Sequence, residues 1–486
     1  MPRISNLLKF ELLLLVISSF YYLFFANKGL VFFDEGIFTH SAERIWQGQL
    51  PYKDFWLQYG PTYSYILAFL YKIFGPTILI GRLLSVFICL LIIACTFIIL
   101  NKLKSASYKI VFLSFLSLVS FGYPLINIPN IMWMNVLLAL LLVITYLYRE
   151  KTKKFATVFI MGILLALSLS CKQNLGAIYI LVFNLLFLLE KESSFKKRAI
   201  NLFILNLTWA VGTFAWIYFF FLRQDPQTFF GFINFSKNFA IQNAFTYPSL
   251  IMILKPLGLF KLLPYYLPVG LFFILLYFIF RKNKNINTLL LPLVSVTGFF
   301  VTVFPQSDLL HCYPFFGLVL VSFLILFPKS KLNLLIVFIA ILVGFYLTFF
   351  TKSYRYERYF WEMDTYLNLP RTQLIMVSKN DAASIMEVAN FINKNTNKGD
   401  YIFAYPNASL LYFILERQNP SKDQIYYLKS WHFYDDKTIL SEIKNKKVKY
   451  IITHRAYTFG SDLSYFIQKQ KPVLSSGEFR IFKTAD

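Results

Sequence analysis

The chain has 486 residues, of which 57% are hydrophobic, 20% are aromatic and only 15% are charged. Soluble domains carry about 25% charged residues, so the composition disfavours a soluble chain of this size. The net charge of +24 would suit nucleic acid, but most basic residues of the first 350 positions stand in short clusters between apolar runs. Such clusters set membrane topology. We therefore predict a polytopic α-helical membrane protein that binds no nucleic acid.

Eleven apolar runs are candidates for membrane-spanning helices, which need about 20 largely apolar residues. In chain order they cover residues 7–26, 77–100, 110–126, 131–148, 155–170, 175–190, 199–222, 262–280, 287–304, 309–327 and 332–350. The first run ends without a convincing small-residue cleavage site, so we predict a retained helix and not a cleaved signal peptide. The four cysteines lie in or beside such runs, where buried free thiols are expected.

Basic residues predict how the runs are oriented. One set of alternating ends carries dense basic clusters, for example at 102–109 and 191–198, whereas the other set holds the long loops 27–76 and 223–261. By the positive-inside rule the first set is cytoplasmic. We therefore predict a multi-pass inner or plasma membrane protein with a cytoplasmic N-terminus. The odd number of spans then puts residues 351–486 outside the cytoplasm.

Acidic residues mark a change of composition after the last apolar run. Residues 1–350 hold ten of the 24 Asp and Glu residues, and the remaining 136 residues hold fourteen. We therefore predict two domains. A membrane domain covers residues 1–350 and includes the extracytoplasmic loops 27–76 and 223–261, and a soluble domain covers residues 351–486.

The C-terminal segment has the patterns of a small α/β domain. They predict a helix capped by Asp381, strands at 401–404 and 448–453, helices at 408–416 and 437–446, and a final hairpin around Ser476-Gly477. No phosphate-binding glycine loop, zinc-ligand spacing or nucleophile elbow stands in this sequence. We interpret its two isolated histidines, His432 and His454, as structural.

The residues that indicate chemistry are concentrated in the first long loop. Asp34, Glu35, Glu43 and Asp54 are four of the ten acids in the first 350 residues. Asp34 and Glu35 follow the first apolar run closely and are flanked by phenylalanines. Partial desolvation there would raise their basicity, which suits a general base. Alternatively, the pair only stabilises the N-terminus of a helix that continues through 39–47.

The same loop resembles the first luminal loop of the protein O-mannosyltransferases and their bacterial relatives, the polyprenyl-phosphate-sugar-dependent GT-C glycosyltransferases. These relatives include the bacterial members of glycosyltransferase family 39 and the aminoarabinose transferases. In that family a Phe-Asp-Glu motif follows the first span, and a second Asp follows about twenty residues later, before a proline. Asp34 and Glu35 match the motif, Asp54 matches the second acid and Pro61 matches the proline.

Two further segments strengthen the resemblance, and one departs from it. The turn at 171–176 and the segment 307–311 are similar to segments of bacterial members. The stretch 58–61, Gln-Tyr-Gly-Pro, stands where the eukaryotic enzymes have His-Pro-Pro-Leu. We therefore do not carry over the transfer of mannose to protein Ser or Thr.

The resemblance implies an inverting displacement at the anomeric carbon of a lipid-linked sugar phosphate. Asp34 would be the general base, and Glu35 would orient the acceptor or bind a divalent cation. The leaving phosphate gains charge and requires cations. Residues expected to bind the donor phosphate are Lys172, Arg82 and His311, with Arg223, Lys255 and Lys261 as further loop candidates. Residues expected to bind substrate are Asp54, Tyr59 and Asp308.

Most of these residues also have a structural interpretation. Lys172 is a lone cation in a short external turn, where it either meets the phosphate or extends to lipid headgroups. Asp308 and His311 either share the site or form an ordinary pair at the membrane interface. Three aromatic residues either stack on a sugar or belong to the interfacial aromatic belt, namely Trp46, Trp56 and Tyr59.

The sequence therefore predicts a hexosyl- or pentosyltransferase of the membrane. It would move a sugar from a polyprenyl-phosphate donor to a glycan, lipid or protein acceptor. Membrane lipids are its other expected partners. The alternative is a multi-span transporter or flippase of lipid-linked saccharides, although transporters commonly contain internal repeats and none is evident in the sequence. A non-catalytic assembly or adhesion protein is the third class.

Overall fold

The computed structural model describes most of the chain with side chains. The described residues are 5–149, 154–190, 194–242, 247–254, 258–281, 285–304, 307–352, 358–426, 435–455 and 461–484. The candidates Lys255 and His432 lie outside the described residues.

Helices dominate the fold, and the described part of the C-terminal segment contains six strands. The helices are α1 Asn6–Ala26, α2 Asp34–Trp46, α3 Thr62–Phe74, α4 Ile78–Lys102, α5 Tyr108–Ser120, α6 Ile131–Tyr148, α7 Lys154–Cys171, α8 Gln173–Leu188, α9 Phe195–Ile217, α10 Pro226–Gln242, α11 Gly258–Arg281, α12 Ile286–Val303, α13 Leu309–Leu326, α14 Lys331–Phe350, α15 Lys379–Asn395, α16 Leu410–Leu415, α17 Asp436–Asn445 and α18 Asp462–Gln468. The strands are β1 Thr365–Tyr366, β2 Met376–Val377, β3 Ile402–Tyr405, β4 Tyr450–His454, β5 Lys471–Ser476 and β6 Phe479–Lys483.

The apolar helices confirm the prediction of a polytopic α-helical membrane protein. Within the described residues, nine helical segments are long and apolar enough to cross a membrane. The apolar helices Phe155–Cys171 and Gln173–Leu188 are shorter. All eleven predicted runs fall on these helices, and nine of them reach full spanning length by this measure.

By contacts, the chain divides into two compact units. Unit 1 consists of residues 1–25, 85–218 and 243–351. Its helices begin at residues that the sequence marks clearly, because the side chains of Ser107, Asn130 and Ser330 accept a hydrogen bond from the first turn of α5, α6 and α14. All four cysteines of the chain lie here, buried and free as predicted.

Unit 2 consists of residues 26–84, 219–242 and 352–486. It contains a four-stranded sheet in the order β3-β4-β6-β5, in which β3 and β4 are parallel and the other pairs are antiparallel. β1 and β2 form a separate antiparallel pair. Buried apolar side chains from the strands and from α17 and α18 form the core of this sheet region, among them Phe403, Ile439, Ile451, Leu463 and Ile467.

The predicted elements of the C-terminal segment are confirmed apart from one helix cap. α15 begins one turn before Asp381, because Ser378 is the capping residue and its hydroxyl accepts the Asp381 N–H at 3.2 Å. The Asp381 carboxylate instead accepts a hydrogen bond from the Ser378 hydroxyl at 2.6 Å. The prediction that Asp381 caps the helix was therefore wrong. The sequence interpretation also omitted the β1–β2 pair and α18.

The first loop and the C-terminal segment belong to the same compact unit. The sequence interpretation placed residues 27–76 with the membrane helices instead. The division into domains at residue 350 stays a prediction.

Candidate active site

The acid pair of the first loop begins helix α2. Asp34 and Glu35 occupy its first turn, where the exposed N–H groups and the helix dipole favour negative charge. The preceding residue, Phe33, makes no side-chain capping bond. The two acids nevertheless differ in environment, because Asp34 is partly exposed and Glu35 is fully buried.

Glu35 is held by a buried ion pair with Arg82. The Glu35 carboxylate accepts hydrogen bonds from Arg82 Nε at 2.7 Å and Nη2 at 2.8 Å, and both side chains are 0% exposed. Arg82 also donates to the carbonyl oxygens of Ala26, Lys28 and Gly29, at 3.1, 2.9 and 2.7 Å. Such a bidentate pair fixes the carboxylate geometrically. Arg82 thereby ties the start of α2 to the segment that follows α1.

This geometry affects two predicted roles, phosphate binding by Arg82 and metal binding by Glu35. Each of the five N–H donors of a guanidinium has a partner at Arg82 within unit 2, so in this arrangement Arg82 has no donor left for a phosphate. Glu35 also accepts from the Val31 N–H at 3.2 Å, and the adjacent guanidinium charge opposes a metal cation. Within the described residues, no group of three or more His, Cys, Asp or Glu side chains could hold a metal ion. The residues present therefore do not fit a divalent cation at Glu35.

Asp54 and Tyr59 both take part in turns of the first loop. Asp54 Oδ2 accepts the Leu50 N–H at 2.7 Å. The carbonyl oxygen of Tyr59 accepts a hydrogen bond from the Tyr52 hydroxyl at 2.5 Å. Asp54 and Tyr59 remain partly exposed. Their predicted contact with substrate stays a prediction.

Polar contacts join the first loop to the C-terminal segment. Arg44 Nη1 donates to the Ser421 carbonyl at 3.1 Å, and the Trp56 N–H donates to the Lys422 carbonyl at 2.9 Å. Gln424 Nε2 donates to the Ser41 hydroxyl at 3.0 Å. Since these groups are mostly buried, the contacts are costly to break. The loop is therefore shaped by residues more than 350 positions away.

The sequence interpretation missed a buried charged cluster on α2. His40 Nδ1 lies 3.0 Å from Glu43 Oε2, and the other oxygen of Glu43 pairs with Arg371. Burial lowers the pKa of His40, and the hydrogen bond with Glu43 acts in the opposite direction. His40 also stacks on Tyr412, with ring centroids 5.0 Å apart. The only signal in the sequence was the spacing of His40 and Glu43 on one helix face, which identifies no distant partner.

His454, at the end of β4, packs against one phenylalanine of the first loop and one of β6. Its ring is 4.6 Å from the ring of Phe32 and 5.0 Å from that of Phe479. Its Nε2 lies 3.2 Å from Glu478 Oε2, and this hydrogen bond, with that of Arg455, lowers the pKa of Glu478 to about 2. These contacts agree with the structural role predicted for His454.

Three predicted residues of unit 1 lie together. Asp308 caps α13 by accepting the His311 N–H at 3.0 Å, and the same carboxylate oxygen lies 2.7 Å from His311 Nδ1. Lys172 lies between α7 and α8, is 6% exposed, and has its Nζ 3.2 Å from Met132 Sδ. Burial lowers the pKa of Lys172 to about 7, while the charge of Asp308 acts in the opposite direction. The cluster is thus one buried amine, one carboxylate and one imidazole.

The remaining loop cations are less enclosed. Arg223 follows the helical turn Tyr218–Leu222, and its guanidinium lies 6.0 Å from the Phe219 ring centroid. Lys261 lies in the first turns of α11. Neither position identifies a phosphate site.

Two solved structures share this architecture. One is the crystal structure of ArnT from Cupriavidus metallidurans bound to undecaprenyl phosphate, which is 12% identical with a TM-score of 0.56. The other is the apo state of that protein, which is 13% identical with the same TM-score. Each match covers 98% of this chain and 98% of the other. This chain has the ArnT fold.

The ArnT fold is a GT-C fold, and it extends over the whole architecture of the chain, from the apolar helices to the C-terminal sheet region. The prediction of a GT-C-like membrane fold with a small α/β region at the C-terminus is therefore confirmed. No protein-family model matches the sequence. No curated protein matches it either.

Proposed function

We propose that this chain is a membrane glycosyltransferase that moves a sugar from a polyprenyl-phosphate donor to an acceptor outside the cytoplasm. The observation that carries the proposal is the position of Asp34. Its carboxylate is partly exposed, and its neighbour in the helix, Glu35, is held in place by the buried Arg82. The ArnT fold supports the donor class, because one of the two ArnT structures was solved with undecaprenyl phosphate bound.

In the proposed reaction Asp34 is the general base. An acceptor hydroxyl or amine attacks the anomeric carbon, and its proton passes to the Asp34 carboxylate as the new bond forms. The bond between the anomeric carbon and the phosphate oxygen breaks, and the lipid phosphate leaves with the electron pair. One displacement inverts the anomeric configuration.

Glu35 takes the role of a positioning residue in this proposal. Its two oxygens are engaged by Arg82, so it fixes the first turn of α2 from which the Asp34 side chain projects. Misplacement of a catalytic group by about 1 Å can lower the rate about 10²-fold. We therefore assign Glu35 to orientation and not to proton transfer.

For the leaving phosphate the proposal names Lys172 and His311. Lys172 is buried, which strengthens its electrostatic interaction with an anion. An approaching phosphate would favour the charged form of the amine and raise its pKa. Asp308 would then hold His311 through its hydrogen bond.

The test is a transfer assay with purified protein and a panel of polyprenyl-phosphate sugars, in which mass spectrometry detects the released lipid phosphate. Asp34→Asn keeps the size of the side chain but removes the base. We expect its turnover to fall about 10²–10⁴-fold, the usual contribution of general base catalysis, while donor binding is retained.

Asp364→Asn is the matched control, because Asp364 is an exposed acid of the same unit. Its turnover should equal that of the unaltered protein. Near-normal turnover in Asp34→Asn would reject Asp34 as the base. Movement of the lipid-linked sugar across vesicles without any product would instead support the flippase alternative.

A further inference from the structure

A cleft of about 450 Å³ opens beside the last turn of α2. We call it the Trp46 cleft. Its lining includes Glu43, Trp46, Gln47, Arg371, Lys398, Glu416 and Arg417. All of them belong to unit 2. The volume lies in the range of sites for small organic ligands, which is about 300–1,000 Å³.

The floor of the cleft is a network of paired charges. Arg371 pairs with Glu43, and its Nε lies 3.5 Å from Glu416 Oε1. Lys398 pairs with the other oxygen of Glu416. Arg371 and Glu43 are almost fully buried, at 8% and 2% exposure. Buried ion pairs add little to stability compared with apolar packing, so stability alone does not account for this network.

The backbone at Glu416 places its carboxylate beside the cations of the cleft. Glu416 has φ +53° and ψ +45°, the left-handed conformation that residues other than glycine rarely adopt. Helices commonly end on a residue in this conformation, and here it directs the Glu416 carboxylate to Arg371 and Lys398.

The rim supplies an apolar surface and an amide. Trp46 is 42% exposed, although a large aromatic side chain gains free energy from burial. Gln47 donates to Glu43 Oε1 at 3.3 Å and is itself exposed. An aromatic face beside paired donors and acceptors matches the chemistry of a sugar, whose C–H face is apolar and whose hydroxyls both donate and accept.

The charged side chains of the cleft are engaged within the protein. Two carboxylates neutralise Arg371 and Lys398. The third cation of the lining, Arg417, directs its donors to Thr396, Asn393 and the Leu415 carbonyl, at 2.6–3.0 Å. The donors of Arg417 are thus engaged by neutral oxygens of the protein and are not directed at a ligand. A neutral polyhydroxyl ligand would leave the ion pairs undisturbed.

We propose that the Trp46 cleft binds a neutral sugar unit, with Trp46 as the stacking platform and the Glu416–Arg371–Lys398 network as its hydrogen-bonding partner. The cleft is separate from the acid pair at the start of α2. The inference does not depend on the proposed transfer reaction, because binding is measurable without any lipid-linked donor.

The test is saturation-transfer NMR on the purified full chain in nanodiscs, with maltose, cellobiose and chitobiose as probes. A second arm uses nanodiscs that contain monoglucosyldiacylglycerol, which distinguishes a free saccharide from a lipid headgroup. We expect transfer to the ring C–H protons of at least one probe. Trp46→Ala and Glu416→Gln should each weaken binding about fivefold, in keeping with the loss of one aromatic or hydrogen-bonding contact.

Trp361→Ala is the matched control, because Trp361 is an exposed tryptophan of the same unit outside the cleft. It should bind as the unaltered protein does, and Trp46→Phe should retain most of the affinity. Thermal unfolding of each variant checks that it is folded. Absence of transfer in both arms, equal binding by Trp46→Ala, or a response of Trp46 fluorescence to inorganic phosphate alone would overturn the proposal.

Discussion

Asp34 and Glu35 are adjacent in the sequence but have opposite environments. Successive residues on a helix point about 100° apart, so the helix can bury one carboxylate and leave the next partly exposed. Burial of Glu35 requires a partner, because an isolated buried charge costs far more than a paired one. Arg82 supplies it from 47 positions away. The divergence of the two acids underlies the different roles proposed for them.

At this scale we predict strong coupling between Glu35 and Arg82. Glu35→Gln and Arg82→Met each leave one member of the pair buried and uncompensated, so each should destabilise unit 2 by about 3–5 kcal/mol. The double variant leaves no unpaired charge and should lose clearly less than the sum of the two. Thermal unfolding of the four proteins in detergent gives the coupling free energy.

Lys53→Gln serves as the control for this cycle, because Lys53 is exposed in the same loop. It should unfold at the temperature of the unaltered protein. Additive effects of the two substitutions would contradict a direct pair.

At the scale of elements, helix α2 packs closely on α16 at Gly36. A Cβ atom added to Gly36 would lie 2.2 Å from the Leu410 amide nitrogen and 2.5 Å from Ser409 Oγ. The chains also meet through hydrogen bonds, since the Leu410 N–H donates to the Phe32 carbonyl at 3.2 Å. Backbone cannot move aside as a side chain can. The C-terminal segment therefore fixes the start of the helix that carries Asp34.

We predict that Gly36→Ala destabilises the protein, although alanine is favoured over glycine inside helices by about 1 kcal/mol. Overpacking of this kind costs about 1–3 kcal/mol, and it would displace the turn that carries Asp34. Both the unfolding temperature and the turnover in the transfer assay should fall.

Gly399→Ala is the matched control, because a Cβ added there meets no atom within 4 Å. Its stability and turnover should not change. A Gly36→Ala protein that is more stable than the unaltered one would show that α2 and α16 do not approach this closely.

At the scale of the whole molecule, unit 2 is assembled from three separated stretches of the chain. The first loop makes buried hydrogen bonds with the C-terminal segment through Arg44, Trp56 and Ser41. A loop that depends on such partners folds only when they are present. If the domain boundary lay at residue 350, the first loop would fold without the C-terminal segment. The contacts in unit 2 lead us to expect that it does not.

We predict that a chain ending at residue 350 retains its membrane helices but loses the order of residues 27–76. Hydrogen exchange followed by mass spectrometry should show fast exchange of the Trp56 amide, which in the full chain donates to Lys422. The amides of α13 belong to unit 1 and serve as the internal control. Unchanged protection of Trp56 would favour the division at residue 350.

Much of the fold could be predicted from the sequence, because its signals are local. The predicted apolar runs coincide with the apolar helices between α1 and α14. The alternating pattern after residue 381 predicted the strands β3 and β4 and the β5–β6 hairpin. The error at Asp381 was also local. Ser378 and Asp381 are both good capping residues, and the pattern of apolar residues alone does not choose between two positions one turn apart.

The sequence by itself determined the membrane helices and the position of the acid pair, since hydropathy, helix period and a short motif each depend on neighbouring residues. Only the tertiary structure decided that Glu35 is paired with Arg82, that Glu43 meets Arg371, and that Gly36 contacts α16. These partners lie between 47 and 374 positions apart. The physical reason is that a buried charge or a close backbone approach is defined by whatever surrounds it in space, and a single sequence contains no record of those distances.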